Sequence, residues 1–447
     1  MIKSFFIDGK FVSNLDVVTK KFNETFVGVG PKLAKSITPT PGRYFTESMP
    51  RPSDRRFAFD LITETDCLKI IPGLKSKDST GVDGISTKLL KQIAQAIVKP
   101  LTLIINQSLY NGIFPNKLKI AKVIPLYKKG PSEILDNYRP ISLLTAISKV
   151  FEKVAYLQLF NYFQSNNLFY SGQYGFRVNH STELAAVDLI DGVMDIIEKN
   201  ETPLAIFLDL SKAFDTIDHN ILCKKLEIYG VHDVPLMWFR SYLTDRKQLV
   251  EMNNVSSPIL PITTGVPQGS ILGPLLFIIY MNDICNASKL FRFLLYADDT
   301  NLTSSVTTFG SSLVRHSAQI NRELHKISTW LALNKLSLNV GKTKFMIFRT
   351  KNKFINYGQV KLEMNNKPIE RVESFNFLGL VIHETLSWRN HIDKIANKIS
   401  KANGILCRIK HYVPGRILKS LYNSMIESHL RYCILAWGSD PNRIAKL

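Results

Sequence analysis

Between Leu204 and Leu208 the chain is apolar without interruption, and the next residue is Asp209. So short an apolar run reads as a buried strand, and a carboxylate delivered at its end is costly unless paired or metal-bound. Phe291-Arg-Phe-Leu-Leu-Tyr296 is a second such strand, followed by Ala297-Asp298-Asp299 and then Thr300 to Thr303. The pattern predicts a hairpin with two acids at its tip. If the two strands share a sheet, Asp209, Asp298 and Asp299 converge, and each would titrate high unless a divalent cation sat between them. Oxygen donors with no nearby His or Cys point to Mg²⁺, and two ions about 3.5–4 Å apart suit in-line attack on a phosphoryl group. Taken alone, Asp298-Asp299 is also what a tight turn asks for.

Around these strands, helical and strand patterns alternate without strict βαβ repetition, which predicts an α+β fold. Helices are expected over Ser86 to Gln107 and Ala146 to Phe163, and from His219 to Tyr229 with Asp218 as N-cap and Gly230 closing the end. Leu313, Ile320, Leu324, Ile327 and Leu331 mark an amphipathic helix, and Leu336 to Leu338 and Phe345 to Phe348 read as short strands. Residues 1–60 are rich in Gly, Pro, Ser and Thr after a short apolar-periodic piece around Phe22, Phe26 and Val29, and are read as a loosely ordered extension. The end at Ala445-Lys446-Leu447 has neither cap nor polar tail, which reads as a piece of a longer chain.

The formal charge of +20, from 57 Lys+Arg against 37 Asp+Glu, favours a polyanionic partner over a small neutral substrate. It is concentrated. Lys117 to Lys129 holds five lysines and no acid, and residues 387–447 hold 11 Lys+Arg against three Asp+Glu. Lysines beside a strand can line a phosphate track, although a solvated face is the ordinary fate of such a run. Five scattered cysteines suggest neither a disulfide framework nor a zinc site. Asp8 interrupts any leader, and the longest apolar run, Ile271 to Met281, is broken by Gly273-Pro274. An intracellular protein is expected, compatible with nucleus or cytoplasm, with no targeting signal and no membrane partner.

Gly265-Val-Pro-Gln-Gly-Ser-Ile-Leu-Gly-Pro274 is a Gly/Pro loop feeding an apolar helix. It is either an ordinary loop or a surface where backbone, at Gly269 for example, must approach a nucleotide or template closely, with Gln268 as its long polar side chain. His180, His219 and His383 have no Ser or Cys partner motif and read as capped or surface residues.

In order, Phe207-Leu-Asp-Leu-Ser-Lys-Ala-Phe-Asp215, the 265–274 loop and Tyr296-Ala-Asp-Asp299 resemble the central motifs of reverse transcriptases. Ser79-Thr-Gly-Val-Asp-Gly-Ile85, Val123 to Gly130, Asn137-Tyr-Arg-Pro-Ile-Ser-Leu143, Gln173-Tyr-Gly-Phe-Arg177, Trp238 to Gln248, Leu336 to Lys344 and Phe375 to Leu380 extend the similarity to the enzymes of non-LTR retrotransposons, LINE-type and jockey-like. It runs from about Leu61 through His429 to Gly438. A group II intron maturase also shares Tyr-Ala-Asp-Asp, but the Asn137 block and the Trp238 to Gln248 segment favour the LINE side. A catalytically inactive nucleic-acid-binding remnant is the alternative from another class.

The resemblance implies a right-hand polymerase: an N-terminal extension (1–60), fingers and the start of the reverse transcriptase domain (61–200), an antiparallel palm with helices (201–386, with a finger-like insertion near 231–260) and a basic helical thumb (387–447). By the same resemblance Asp209, Asp298, Asp299 and the Leu210 carbonyl would hold two Mg²⁺ ions, with Mn²⁺ as the alternative metal. Phe214 would be the steric gate against ribonucleotides. Arg139, and Lys128 beside it, would grip the triphosphate, while Gln268 and Gly269 would lie beside the nucleotide. Lys342 would donate a proton to pyrophosphate, with Lys344 as its rival. Tyr296 and the 375–380 hairpin would support the primer end. Template RNA, primer DNA and dNTPs are the implied partners, and endonuclease activity would come from a missing domain or another protein.

Overall fold

The structure is a computed structural model and describes residues 4–37, 42–306, 312–350 and 360–438. The C-terminal end of the basic module, residues 439–447, lies outside the described residues. The chain divides into two compact units, the first made of Met1–Tyr170, Leu210–Ala287 and Thr329–Ser337, the second of Ser171–Asp209, Ser288–Ser328 and Leu338–Leu447. Helices and sheets are mixed, so the architecture is α+β. Residues 210–287 belong with the first unit, and residues 387–438 belong with the same unit as Asp209. Strand pairing gathers segments remote in sequence into each unit.

In the first unit, strands Ile120–Tyr127 and Tyr138–Leu143 pair antiparallel, and Ile120–Tyr127 runs parallel to Arg246–Met252. Val255–Ser256 and Leu260–Ile262 add to the far side of Arg246–Met252. Helix Leu15–Lys35 starts at Asn14, whose side chain accepts from the Asp16 and Val17 amides, and it buries Val18, Phe22 and Phe26. These residues join Phe5, Ile7, Ala121, Val123, Tyr138 and Val250 in one core, where Phe22 meets Phe5 edge-on at 5.3 Å. The buried Asn23 amide donates to the Gln248 and Pro258 carbonyls and to Ser257 Oγ. Residues 4–37 are thus integral to this unit, not loosely ordered; the apolar period was visible, but the strands it packs on lie far along the chain.

Two other expectations change. Of the five lysines in 117–129, Lys119 is buried beside Ser241 Oγ, and Lys122 pairs with Glu251 at 3.1 Å. Lys117, Lys128 and Lys129 remain on the exposed surface. In the 238–248 stretch Trp238, Phe239, Tyr242 and Arg246 are buried, and side chains such as Arg240 and Lys247 face solvent. The aromatic spacing there builds core, with Trp238 and Tyr242 stacked at 5.9 Å. The helix expected over 86–107 is broken at Ile93 into Thr87–Gln92 and Ala94–Asn111.

The second unit contains a five-stranded sheet in the order Glu370–Arg371, Lys344–Ile347, Thr202–Leu208, Asp299–Val306, Arg292–Tyr296. Every residue of Thr202–Leu208 is buried, as its unbroken apolar run requires. Helix Thr182–Glu198 seals the sheet with Ala185, Ala186, Leu189, Ile190 and Val193, packed with Ala205, Phe207, Leu294 and Met346. The segment Leu336 to Leu338 forms no strand, whereas Lys344–Ile347 does. Helix Arg389–Ile409 buries only His391, Ile392, Ile395 and Ala402. No helix among the described residues is long and apolar enough to cross a membrane.

Candidate active site

Strand Thr202–Leu208 pairs antiparallel with Asp299–Val306, Thr300 facing Leu208. The next step of that register sets Asp209 level with Asp299, so the acids read from the sequence do come to the same end of adjacent strands. The Asp209 backbone is held on both sides: its carbonyl accepts from Asn339 N at 2.8 Å, and its amide donates to Thr343 Oγ1 at 3.4 Å. Tyr296 faces Asp299, leaving Ala297-Asp298 as a two-residue turn. Ala297 takes φ +57° there, a left-handed conformation that costs a non-glycine residue about 1–2 kcal/mol.

Lys342 Nζ stands 3.7 Å from Asp209 Oδ2, with side chains 59% and 41% exposed respectively. A pair so open to water holds little energy and is easily displaced. Lys344, its rival from the sequence, is turned to the Gly341 carbonyl at 2.8 Å and Glu370 Oε2 at 2.6 Å. Asp298 and Asp299 are exposed, and Tyr296 packs on this unit's core. Among the described residues no group of three His, Cys, Asp or Glu side chains is drawn together closely enough to hold a metal ion. By donor chemistry the site still fits one: carboxylate oxygens at one sheet end suit a hard divalent cation.

The remaining expected residues lie in the first unit. Leu210 is buried, and the amide of Ser211 donates to the Ser337 carbonyl at 2.8 Å. Phe214 stacks on Phe277 with centroids 4.3 Å apart, and its carbonyl accepts from Val266 N at 2.9 Å. Gln268 Nε2 donates to both carboxylate oxygens of Asp215, at 2.9 and 3.0 Å, while Thr264 Oγ1 donates to the Asp215 carbonyl. Burial raises the partly exposed Asp215 carboxyl to about 6, with the Gln268 bond and Lys212 pulling the other way. A cavity of about 40 Å³ opens here, lined by Asp215, Gln268, Ser142, Thr264 and Arg246 among others.

The glycines of this loop are needed for close approach, but the partner observed is the chain's own backbone. Gly265 has φ +82°, and a Cβ on it would come within 2.8 Å of Asp215 Cα and the Phe214 carbonyl. Gly269 has φ +125°, and its Cβ would meet the Ser142 carbonyl at 2.6 Å. Ser142 N in turn donates to the Gln268 carbonyl at 2.8 Å, tying the loop to strand Tyr138–Leu143, which also carries the exposed Arg139. Lys128 is exposed, its amide donating to the Asn137 carbonyl. His219 Nε2 lies 2.7 Å from the Gly265 carbonyl, a structural contact. Sequence reasoning passed over Asp215; an acid directly after an apolar Ala-Phe pair was the available signal.

Residues 126–382 match the family model described as reverse transcriptase (RNA-dependent DNA polymerase). The chain is 27% identical over 424 residues to the probable RNA-directed DNA polymerase from transposon BS of Drosophila melanogaster, covering 90% of this chain and 45% of that protein. It is 25% identical over 406 residues to the RNA-directed DNA polymerase from mobile element jockey of Drosophila funebris, covering 88% and 43%. To the jockey protein of Drosophila melanogaster it is 26% identical over 422 residues, covering 89% and 45%. The chain spans less than half the length of these relatives.

Proposed function

Since this chain belongs to the reverse transcriptase family, we propose that it is an RNA-directed DNA polymerase of a non-LTR retrotransposon, extending a primer 3′-hydroxyl with dNTPs along an RNA template. The observation that carries this reading is Asp209 at the end of a fully buried strand, level with the Tyr296-Ala-Asp-Asp299 hairpin. Asp209, Asp298 and Asp299, with the Leu210 carbonyl, would hold the divalent ions. Bound Mg²⁺ would lower the pKa of the primer hydroxyl and offset charge on the triphosphate. Lys342, already beside Asp209, is the residue to give a proton to departing pyrophosphate, a reading supported by the turning of Lys344 towards Glu370.

In this reading the 120–143 hairpin acts as fingers, offering Arg139 as a fork of donors to the triphosphate with Lys128 nearby. Phe214 is the gate against a 2′-hydroxyl, its ring braced by Phe277. Gln268, held by Asp215, presents its remaining amide oxygen towards nucleotide or template, and the Gly269 backbone lies beside it. Tyr296 and hairpin Ser374–His383 support the primer end, with Phe375 stacked on Phe207 at 4.0 Å. The basic helix Arg389–Ile409 acts as thumb along the duplex. The full chain should incorporate dTTP on poly(rA) primed with oligo(dT) in Mg²⁺. Asp298→Ala should abolish incorporation while template binding persists; wild-type binding without incorporation would favour the non-catalytic binding module.

A further inference from the structure

We propose that Gln173 and Gly175 form a strut that sets the Ala297-Asp298 turn, making Gln173 a positioning residue for the acidic site; the inference rests on the polymerase reading above. Residues 172–175 lie alongside strand Arg292–Tyr296 in the second unit. Gln173 bridges Leu295 in parallel register, the Leu295 amide donates to the Gly172 carbonyl at 2.8 Å, and the Tyr174 amide donates to the Leu295 carbonyl at 2.7 Å. The Gln173 side chain is wholly buried. Its Oε1 accepts from the Gly175 amide at 2.8 Å and from the Ala297 amide at 3.3 Å.

Ala297 is the residue whose left-handed backbone makes the turn, and its amide is the one the glutamine takes. Gly175 shows no left-handed φ, so its missing side chain serves space alone. A Cβ there would lie 2.3 Å from Ala297 N and 3.0 Å from Tyr296 C. The turn is therefore held by a hydrogen bond and by a backbone contact. Asp298 and Asp299 follow immediately in sequence. Asp209 is fixed separately, through Asn339 and Thr343. Loosening the strut would move the hairpin acids relative to Asp209 instead of moving all three together.

A second observation separates this role from mere packing. Among the described residues Gln173 Nε2 has no hydrogen-bond partner. The oxygen carries the hydrogen bonding of this side chain, and without it the Gly175 and Ala297 amides would lose that acceptor. What the glutamine supplies that methionine lacks is the oxygen on Ala297.

The test uses the full chain and the variants Gln173→Met and Gly175→Ala, with three readouts: kcat and KM on oligo(dT)-primed poly(rA), Mn²⁺ binding by electron paramagnetic resonance, and thermal midpoint. Gln173→Met should lower the midpoint modestly, since two buried amides lose their acceptor, leave KM for primed template within twofold, lower kcat about tenfold or more and weaken Mn²⁺ binding severalfold. Gly175→Ala, whose Cβ would press on the Ala297 backbone, should lower the midpoint, kcat and Mn²⁺ affinity further, and Asp209→Ala gives the Mn²⁺ baseline. Wild-type kcat and Mn²⁺ affinity in both variants, or a kcat loss that disappears when they are assayed well below their midpoints, would overturn the strut. Should the wild-type chain extend no primer, the polymerase reading fails, while the Mn²⁺ titration still decides the strut: equal affinities reject it, weakened affinities uphold it.

Discussion

Asp209 and Asp215 stand in one short motif but belong to different units and meet opposite environments. Asp209 has a backbone clamped by Asn339 and Thr343, yet its side chain is 41% exposed and meets Lys342 only at 3.7 Å. Asp215 has both oxygens taken by one amide nitrogen, in surroundings that lift its carboxyl to about 6. The contrast separates two uses of a carboxylate. One left open to water can exchange a loosely held lysine for another partner. One enclosed against a neutral amide becomes a hydrogen-bond acceptor whose charge is lost with mild acid.

The contrast can be broken at several points. The largest effect is expected at the open acid's partner: Lys342→Ala should lower kcat by about a hundredfold, near 2.7 kcal/mol. Lys344→Ala, which loses an exposed pair with Glu370, should change kcat by less than about threefold. Single-turnover incorporation measures both, and equal losses would undo the assignment of Lys342. Next in size, Phe214→Val should admit ribonucleotides, reducing sugar discrimination about tenfold by the ratio of kcat/KM values. Unchanged discrimination would remove Phe214 from the gate.

The smallest effect concerns the enclosed acid. Above about 6 Asp215 is ionised and accepts from Gln268; as the pH falls through that value the carboxyl gains a proton and the contact weakens. KM for dNTP should then rise severalfold between pH 7 and pH 5.5, and Asp215→Asn should lack that acid limb. The sign for stability follows from the same shift. A carboxyl raised in the folded state retains its proton where the unfolded chain has lost it, so this group's contribution falls as the pH rises from the ordinary carboxylate range to about 6. Asp215→Asn should flatten the thermal midpoint across that window.

Much of this molecule was legible in sequence because it is locally encoded. An unbroken apolar run marks strand Thr202–Leu208, Asp218 caps the helix that begins at His219, and Tyr296-Ala-Asp-Asp299 folds as the expected hairpin. Three acids at strand ends could be read as a candidate site for the same reason. Helix Leu15–Lys35 was underestimated since the core it completes is supplied by strands near 120 and 250.

The sequence by itself determined that Thr202–Leu208 and Arg292–Tyr296 become strands, at which end they present their carboxylates, and how basic the chain is. Only the tertiary structure decided that Lys342 and not Lys344 faces Asp209, that the loop glycines make room for Ser142 and Asp215, and that Gln173 reaches Ala297. Each of these depends on register between segments far apart in the chain. A one-residue slip in register turns a side chain to the opposite face of a sheet, and no local pattern of residues specifies that choice.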